Sequence, residues 1–189
     1  MASFDTGWLS PSANNGGWTN QANAYAQDGA NATGTAAGGG ETPYTGWYNF
    51  VGLAAALAAA GATAIEGIEV RAYIRASVAI DYSYLFIGNA PSGTPQSVTS
   101  YGLVPPVSPA AFAYVTIGGP TVLWGGVDTD ANNTFNRNWL VSDFDANFGV
   151  TGAWAGSTTI SLDHIQVKVY FTAPAATVTR RLMTMGYGF

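Results

Sequence analysis

The chain of 189 residues has no cysteine, one histidine and very few charges. Without cysteine there is no disulfide framework, no thiolate metal site and no thiol nucleophile. With a single histidine, His164, any imidazole base, zinc site or triad must use that residue. Charged residues make up 9% of the chain, against about 25% in an ordinary soluble domain. The surface must then be built from Ser, Thr, Asn, Gly and backbone. Such a skin is a weak colloidal stabiliser and suits a protein packed against neighbours. The balance is acidic, with 6 Lys+Arg against 11 Asp+Glu and a net charge of -5. That lacks the basic footprint of a nucleic-acid binder, so no nucleic-acid partner is expected. The longest apolar run, 53–62, is far short of the ~18–20 residues that cross a bilayer, and no membrane association is expected. The opening MASFDTGWLS has no basic stretch followed by an apolar one, so a signal peptide is not expected either.

What is present is apolar, aromatic and rich in glycine. Apolar residues reach 48%, and 6 Trp, 10 Tyr and 9 Phe supply large side chains for burial, which argues against disorder. Short segments near 4–9, 24–33 and 44–51 read as edge strands among turn formers such as Asn14-Asn15-Gly16-Gly17. Residues 53–62, LAAALAAAGA, have the best helix propensity and stop at Gly61; a short helix on a sheet and an apolar connecting loop both fit. From Ile65 the period becomes two. Ile68, Val70, Ala72, Ile74, Ala76, Val78 and Ile80 alternate with Glu69, Arg71, Tyr73, Arg75 and Ser77, the pattern of a half-buried strand. Further strands are expected over 82–87, 114–117 and 160–171, with 121–124 as another candidate and a long loop over 125–147. Within 160–171 the apolar parity switches between Leu162 and Ile165, so a β-bulge is expected near Asp163. Many short strands with Gly/Pro turns and no βα repeat predict an all-β fold. The expected form is an antiparallel β-sandwich of jelly-roll type over 1–172, with a C-terminal arm over 173–189.

Candidate chemistry is sparse. His164 follows Asp163, but adjacent strand residues point to opposite faces, so an Asp–His orienting pair is not expected. Asp163 is expected to accept backbone N–H bonds at a bulge or turn. Asp128, Asp130 and Asn132 begin like a calcium loop, but Asn133 stands where the loop wants Gly and Trp139 where it wants Glu, so an Asx-turn loop is the plainer reading. Asp143 and Asp145 are spaced like paired carboxylates of a glycosidase, yet the segment reads better as a turn before a strand. The Gly-rich stretches 38–40, 118–119 and 125–126 lack the Lys and helix onset of a phosphate loop. Trp8, Trp18, Trp47, Trp124, Trp139 and Trp154 are core or interface residues by default; exposed ones could stack on sugar rings. No catalytic, cofactor-binding or metal-ligating residue is therefore expected. The arm is the most suggestive segment. Leu182, Met183, Met185, Tyr187 and Phe189 are too apolar for a solvated end and are the interface candidates.

Several segments together resemble a family of structural proteins of tailed-bacteriophage virions and prophages. They are Gly17-Trp18-Thr19-Asn20 with 22–30 (ANAYAQDGA), 61–70 (GATAIEGIEV), Leu123-Trp124-Gly125, 145–150 (DANFGV) and 162–171 (LDHIQVKVYF). Their order and rough spacing match over about 8–172, while the Ala-rich 53–60 run, the 126–142 loop and the tail depart from the pattern. The resemblance implies a non-enzymatic subunit located in the virion after synthesis in the bacterial cytoplasm, as capsid decoration or as a neck or tail-fibre-type appendage. Expected partners are further copies, as a homotrimer or higher ring, and other virion proteins. The alternatives are a glycan-binding host-attachment module and, less favoured, a small hydrolase using Asp143, Asp145 or Asp163.

Overall fold

The computed structural model describes residues 2–35, 45–77, 82–88, 109–123, 139–155 and 159–174. Among the described residues, nine strands form two antiparallel sheets. They are β1 (Ala2–Asp5), β2 (Pro11–Asn14), β3 (Ala32–Thr35), β4 (Thr45–Phe50), β5 (Ala64–Ala76), β6 (Tyr82–Gly88), β7 (Ala113–Gly119), β8 (Gly149–Ala155) and β9 (Thr159–Ala173). One sheet has the order β1-β9-β5-β7, with β3 also paired to β9; the other has the order β2-β4-β8-β6. The chain is thus mostly β, as its patterning requires. The 15-residue β9 organises the larger sheet. Along one side it pairs with β5 from Ala64↔Thr172 to Ala76↔Ile160, and along the other it takes β1 at its C-terminal end and β3 at its N-terminal end.

A short helix, α1 (Leu53–Ala60), links β4 of the smaller sheet to β5 of the larger. Its sequence is alanine except for two leucines four apart, which share one face. Leu53 and Leu57 are both buried. The helix stops where Gly61 takes a left-handed conformation at φ 64°. The Gly61 N–H donates to Ala58 O at 3.0 Å and the Ala62 N–H to Leu57 O at 2.9 Å, the paired bonds of a Schellman end.

The alternation in β5 matches the expectation over 68–76. Ile68, Val70, Ala72, Ile74 and Ala76 are buried, with Glu69, Arg71, Tyr73 and Arg75 on the opposite face. In β9 the expected bulge is present. Tyr73 pairs with His164 but Ile74 pairs with Leu162, leaving Asp163 as the extra residue. A second shift lies at Glu66, between Ile65↔Phe171 and Gly67↔Tyr170. One hydrophobic cluster collects side chains from both sheets and from α1. Its aromatic part joins Phe50 to Phe148 at 6.0 Å, and Trp139, Phe144 and Phe148 lie within 4.7–5.7 Å of each other by ring centroids.

Three local expectations change. The stretch 24–33 is not one strand: Gln21–Tyr25 is a 3-10 turn, and only Ala32–Thr35 pairs. The turn follows Asn20 in a left-handed conformation, and it is fixed by tertiary contacts, with Ala24 fully buried and the Gln21 Nε2 donating to Gly46 O at 2.8 Å. The segment expected over 4–9 is β1 at 2–5 followed by a single bridge, Leu9↔Val167. Residues 120–123 form a turn and a non-strand end rather than a strand; Trp124 lies outside the described residues, as do 78–80. A short 3-10 turn, Val141–Asp143, opens the described part of the 125–147 segment at its far end.

Candidate functional site

The polar face of the larger sheet carries the main concentration of interacting side chains. Three rows build it: Glu69, Arg71, Tyr73 and Arg75 from β5; His164, Gln166, Lys168 and Tyr170 from β9; and Tyr114 from β7 with Phe112 just before that strand. Residues 6–10 add Trp8 and Ser10. This segment is pinned to β9 by Thr6 N–H to Val169 O at 3.1 Å and by reciprocal Leu9–Val167 bonds of 2.9 Å. The Trp8 side chain lies against the face, its ring centroid 4.2 Å from the Arg71 guanidinium and 4.3 Å from Lys168 Nζ. Arg71 also lies 4.5 Å from the Tyr114 ring, so one cation is shared by two aromatic rings.

A directional chain of hydrogen bonds crosses this face. Arg71 Nε donates to Gln166 Oε1 at 2.8 Å, and Gln166 Nε2 reaches Ser10 Oγ at 3.4 Å. Ser10 Oγ lies 2.8 Å from His164 Nε2, Tyr114 Oη lies 3.4 Å from His164 Nδ1, and Tyr114 donates to Gln27 Oε1 at 2.7 Å. Since Tyr114 spends its proton on Gln27, its oxygen accepts from Nδ1–H, and Nε2 accepts from the Ser10 hydroxyl. The donor logic therefore assigns the neutral Nδ1–H tautomer. Burial pushes the His164 pKa below its ordinary 6.5, and the Arg71 charge pushes the same way; Asp163 and Asp28 oppose this more weakly.

The neighbouring cation is arranged differently. Lys168 Nζ stands 3.4 Å from Glu69 Oε2, and Tyr170 donates to the same carboxylate oxygen at 2.6 Å. Burial by itself would lower the Lys168 pKa, but the Tyr170 hydrogen bond and the Glu69 charge outweigh it and hold the ammonium above its usual range. Burial and the bond to Glu69 together raise the Tyr170 phenol.

The residues singled out in the sequence scatter. Asp163 Oδ1 accepts the Asp28 and Gly29 N–H groups at 3.3 and 3.1 Å, as expected of a bulge residue. Asp143 and Asp145 do not form a pair facing one cleft. Asp143 is buried and its Oδ2 accepts the Leu140 N–H at 2.9 Å, whereas Asp145 is exposed and its Oδ1 accepts the Asn147 N–H at 2.7 Å. Both serve the turn before β8, as the sequence reading favoured. Trp47 and Trp139 are core residues that donate to the carbonyls of Gln21 and Leu123. Trp18 packs edge-on to Trp47 at 5.6 Å and covers Gly34, where any added Cβ would collide with the indole. Asp128, Asp130, Asn132, Asn133 and Trp124 lie outside the described residues, as do Leu182, Met183, Met185, Tyr187 and Phe189; for Trp154 only the backbone is described. Among the described residues, no three His, Cys, Asp or Glu side chains gather as metal ligands, and no helix is long and apolar enough to cross a membrane.

Sequence reasoning found the outward rows of β5 and β9 but not the site they make. Pairing Arg71 with Gln166, and Tyr73 with His164, is a matter of register. Trp8 and Ser10 lie more than 150 residues before their β9 partners in sequence, and nothing in their local pattern announces that. The parity of the polar residues was the available signal. Comparisons with protein-family models, with curated proteins and with solved structures give no match for this chain.

Proposed function

We propose that the chain is a non-enzymatic structural subunit of a tailed-phage virion, a capsid decoration or a neck or tail appendage. In this reading it is a β-sandwich of jelly-roll type that assembles into a homotrimer or higher ring through its sheet faces and terminal arms. The core shared by both sheets supports the sandwich form. The observation that carries the assembly reading is one corner of the larger sheet. There Ala2 pairs with Ala173, so β9 ends, at the start of the 173–189 arm, beside the N-terminal strand. Among the described residues β1 is paired on one side only, and its Phe4 is 45% exposed. An edge of this kind, with an apolar side chain showing, is a template for another chain unless it is covered. The residues that follow β9 in sequence include the interface candidates Leu182, Met183, Met185, Tyr187 and Phe189.

The test is truncation. A cut at 173 would remove a buried residue that pairs with Ala2, so the chain should end at Pro174. The truncated protein is expected to keep its β-type circular dichroism but to sediment as a monomer where the full chain sediments as a ring. An unchanged oligomer would remove the arm from the assembly. The alternative, a glycan-binding host-attachment module, is favoured by the aromatic and cationic face built by Trp8, Tyr73, Tyr114, Arg71 and Arg75.

A further inference from the structure

The polar face gathers cations in a chain that is acidic as a whole. Arg71, Arg75 and Lys168, the described cations, all lie on it, and Glu69 is the acidic partner of Lys168 alone. Arg75 differs from the other two. It is exposed, its guanidinium is held 4.9 Å from the Phe112 ring, and among the described residues no carboxylate or carbonyl accepts from it. Phe112 is in turn stacked on Tyr73 at 5.4 Å with an interplanar angle of 24°. A guanidinium resting on a fixed ring keeps its edge free for a planar, two-oxygen acceptor.

Beside this edge is an open hollow of about 270 Å³ lined by Arg75, Ala76, Ser77, Ala110, Thr159 and Ser161. Its rim is braced by Ser77 N–H to Thr159 O at 3.0 Å and Thr159 N–H to Ser77 Oγ at 3.2 Å. The volume is below the roughly 300–1,000 Å³ of pockets for drug-sized ligands, and it suits a single ring. Three hydroxyl-bearing residues and one cation with no carboxylate partner among the described residues suit a ring that carries several hydroxyls and one carboxylate. Arg71 stands four strand residues from Arg75, roughly 13 Å along β5, with Tyr73 between them. The face thus continues from the hollow as an aromatic strip between two guanidinium groups.

We propose that this hollow binds one carboxylated sugar ring of an anionic glycan, with the carboxylate on Arg75 and the hydroxyls toward Ser77, Thr159 and Ser161, and that the glycan runs on across Tyr73 toward Arg71. The inference rests on the glycan-binding reading of this face and is independent of the virion reading. Charge selects this occupant, since the cationic face of an acidic protein favours a ligand with repeated negative groups, and the interleaved rings favour sugars over a plain acidic peptide.

The experiment measures binding of the full chain to polygalacturonate and polysialic acid oligomers, to the methyl ester of the first, and to poly-glutamate. At least one of the two acidic glycans should bind in a salt-sensitive way, with the ester and the polypeptide bound at least about tenfold more weakly. Arg75→Gln should weaken binding by about tenfold, the scale of a lost charge-assisted contact, without moving the melting temperature. A Glu66→Gln control should leave binding as it was. Equal binding of the ester would overturn the carboxylate inference and leave a neutral-glycan module standing. Equal binding of poly-glutamate would make the face a protein-docking surface. Binding of none of these ligands would remove the glycan reading together with the inference, and an unaffected Arg75→Gln variant would remove the proposed subsite.

Discussion

At the scale of single residues, His164 concentrates the chemistry of the polar face. Arg71 and Tyr73 face it from β5, Tyr114 from β7, Ser10 from the N-terminal segment and Gln27 with Asp28 from the loop before β3; Asp163 precedes it on β9. A proton on Nε2 would meet the hydroxyl hydrogen of Ser10 and add a charge beside Arg71. The fold therefore favours the neutral ring, and its pKa lies below 6.5. The sign follows from linkage. As pH falls through 6.5 the unfolded chain takes up the proton before the folded one, so stability present above that pH is lost below it. The melting temperature of the parent protein should drop between pH 7.5 and 5.5, and His164→Gln should flatten that drop. The variant starts lower at pH 7.5 because two hydrogen-bonding groups lose their partner. Equal pH slopes for the two proteins would show that His164 titrates without the fold noticing.

At the scale of elements, β5 is held from both sides, by β9 and β7, and its closest approach is at Gly67. A Cβ there would run into Gly119 O and the Pro120 backbone, and these atoms cannot swing aside as the end of a side chain can. The adjacent Ile68 N–H donates to Val122 O at 2.9 Å and locks the turn after β7 onto the same spot. Gly67→Ala should therefore cost about 1–3 kcal/mol, the usual range for overpacking, read by chemical denaturation. The same change at Gly149, whose Cβ would meet Trp47 O and Tyr48 Cβ at 3.0 Å, should be milder because those contacts are tight without overlapping. A larger loss at 149 than at 67 would contradict this reading of the two approaches.

For the whole molecule, the cluster that includes Trp47, Phe50, Phe148, Ile68, Val70, Leu57 and Ile165 belongs to no single sheet. Phe148 is fully buried and touches Phe50, Trp139 and Phe144. Phe148→Ala should cost about 3–5 kcal/mol. Because both sheets draw on this cluster, they should melt together, with one transition seen alike by far-UV and near-UV circular dichroism. Two separated transitions would mean that the sheets fold as independent units. Assembly acts at the same scale: 9% charged residues leave little to keep molecules apart, and the proposed ring would cover the exposed corner at Phe4.

What could be read from the chain alone was whatever depends on near neighbours. Period-two alternation sets which residues of β5 face inward, because successive side chains on a strand point to opposite faces. The parity switch between Leu162 and Ile165 locates the bulge at Asp163, and Gly61 marks the end of α1. The 3-10 turn at 21–25 escaped this reasoning because burial of Ala24 and the bond from Gln21 to Gly46 decide it, and both depend on chain distant in sequence. The polar face escaped for the same reason. Its residues were visible one strand at a time, but register set Arg71 opposite Gln166, and the path of residues 6–10 along β9 brought Trp8 and Ser10 to them. Local pattern limits each residue to a face, whereas the partners on that face are chosen by long-range pairing and by the burial that rewards it.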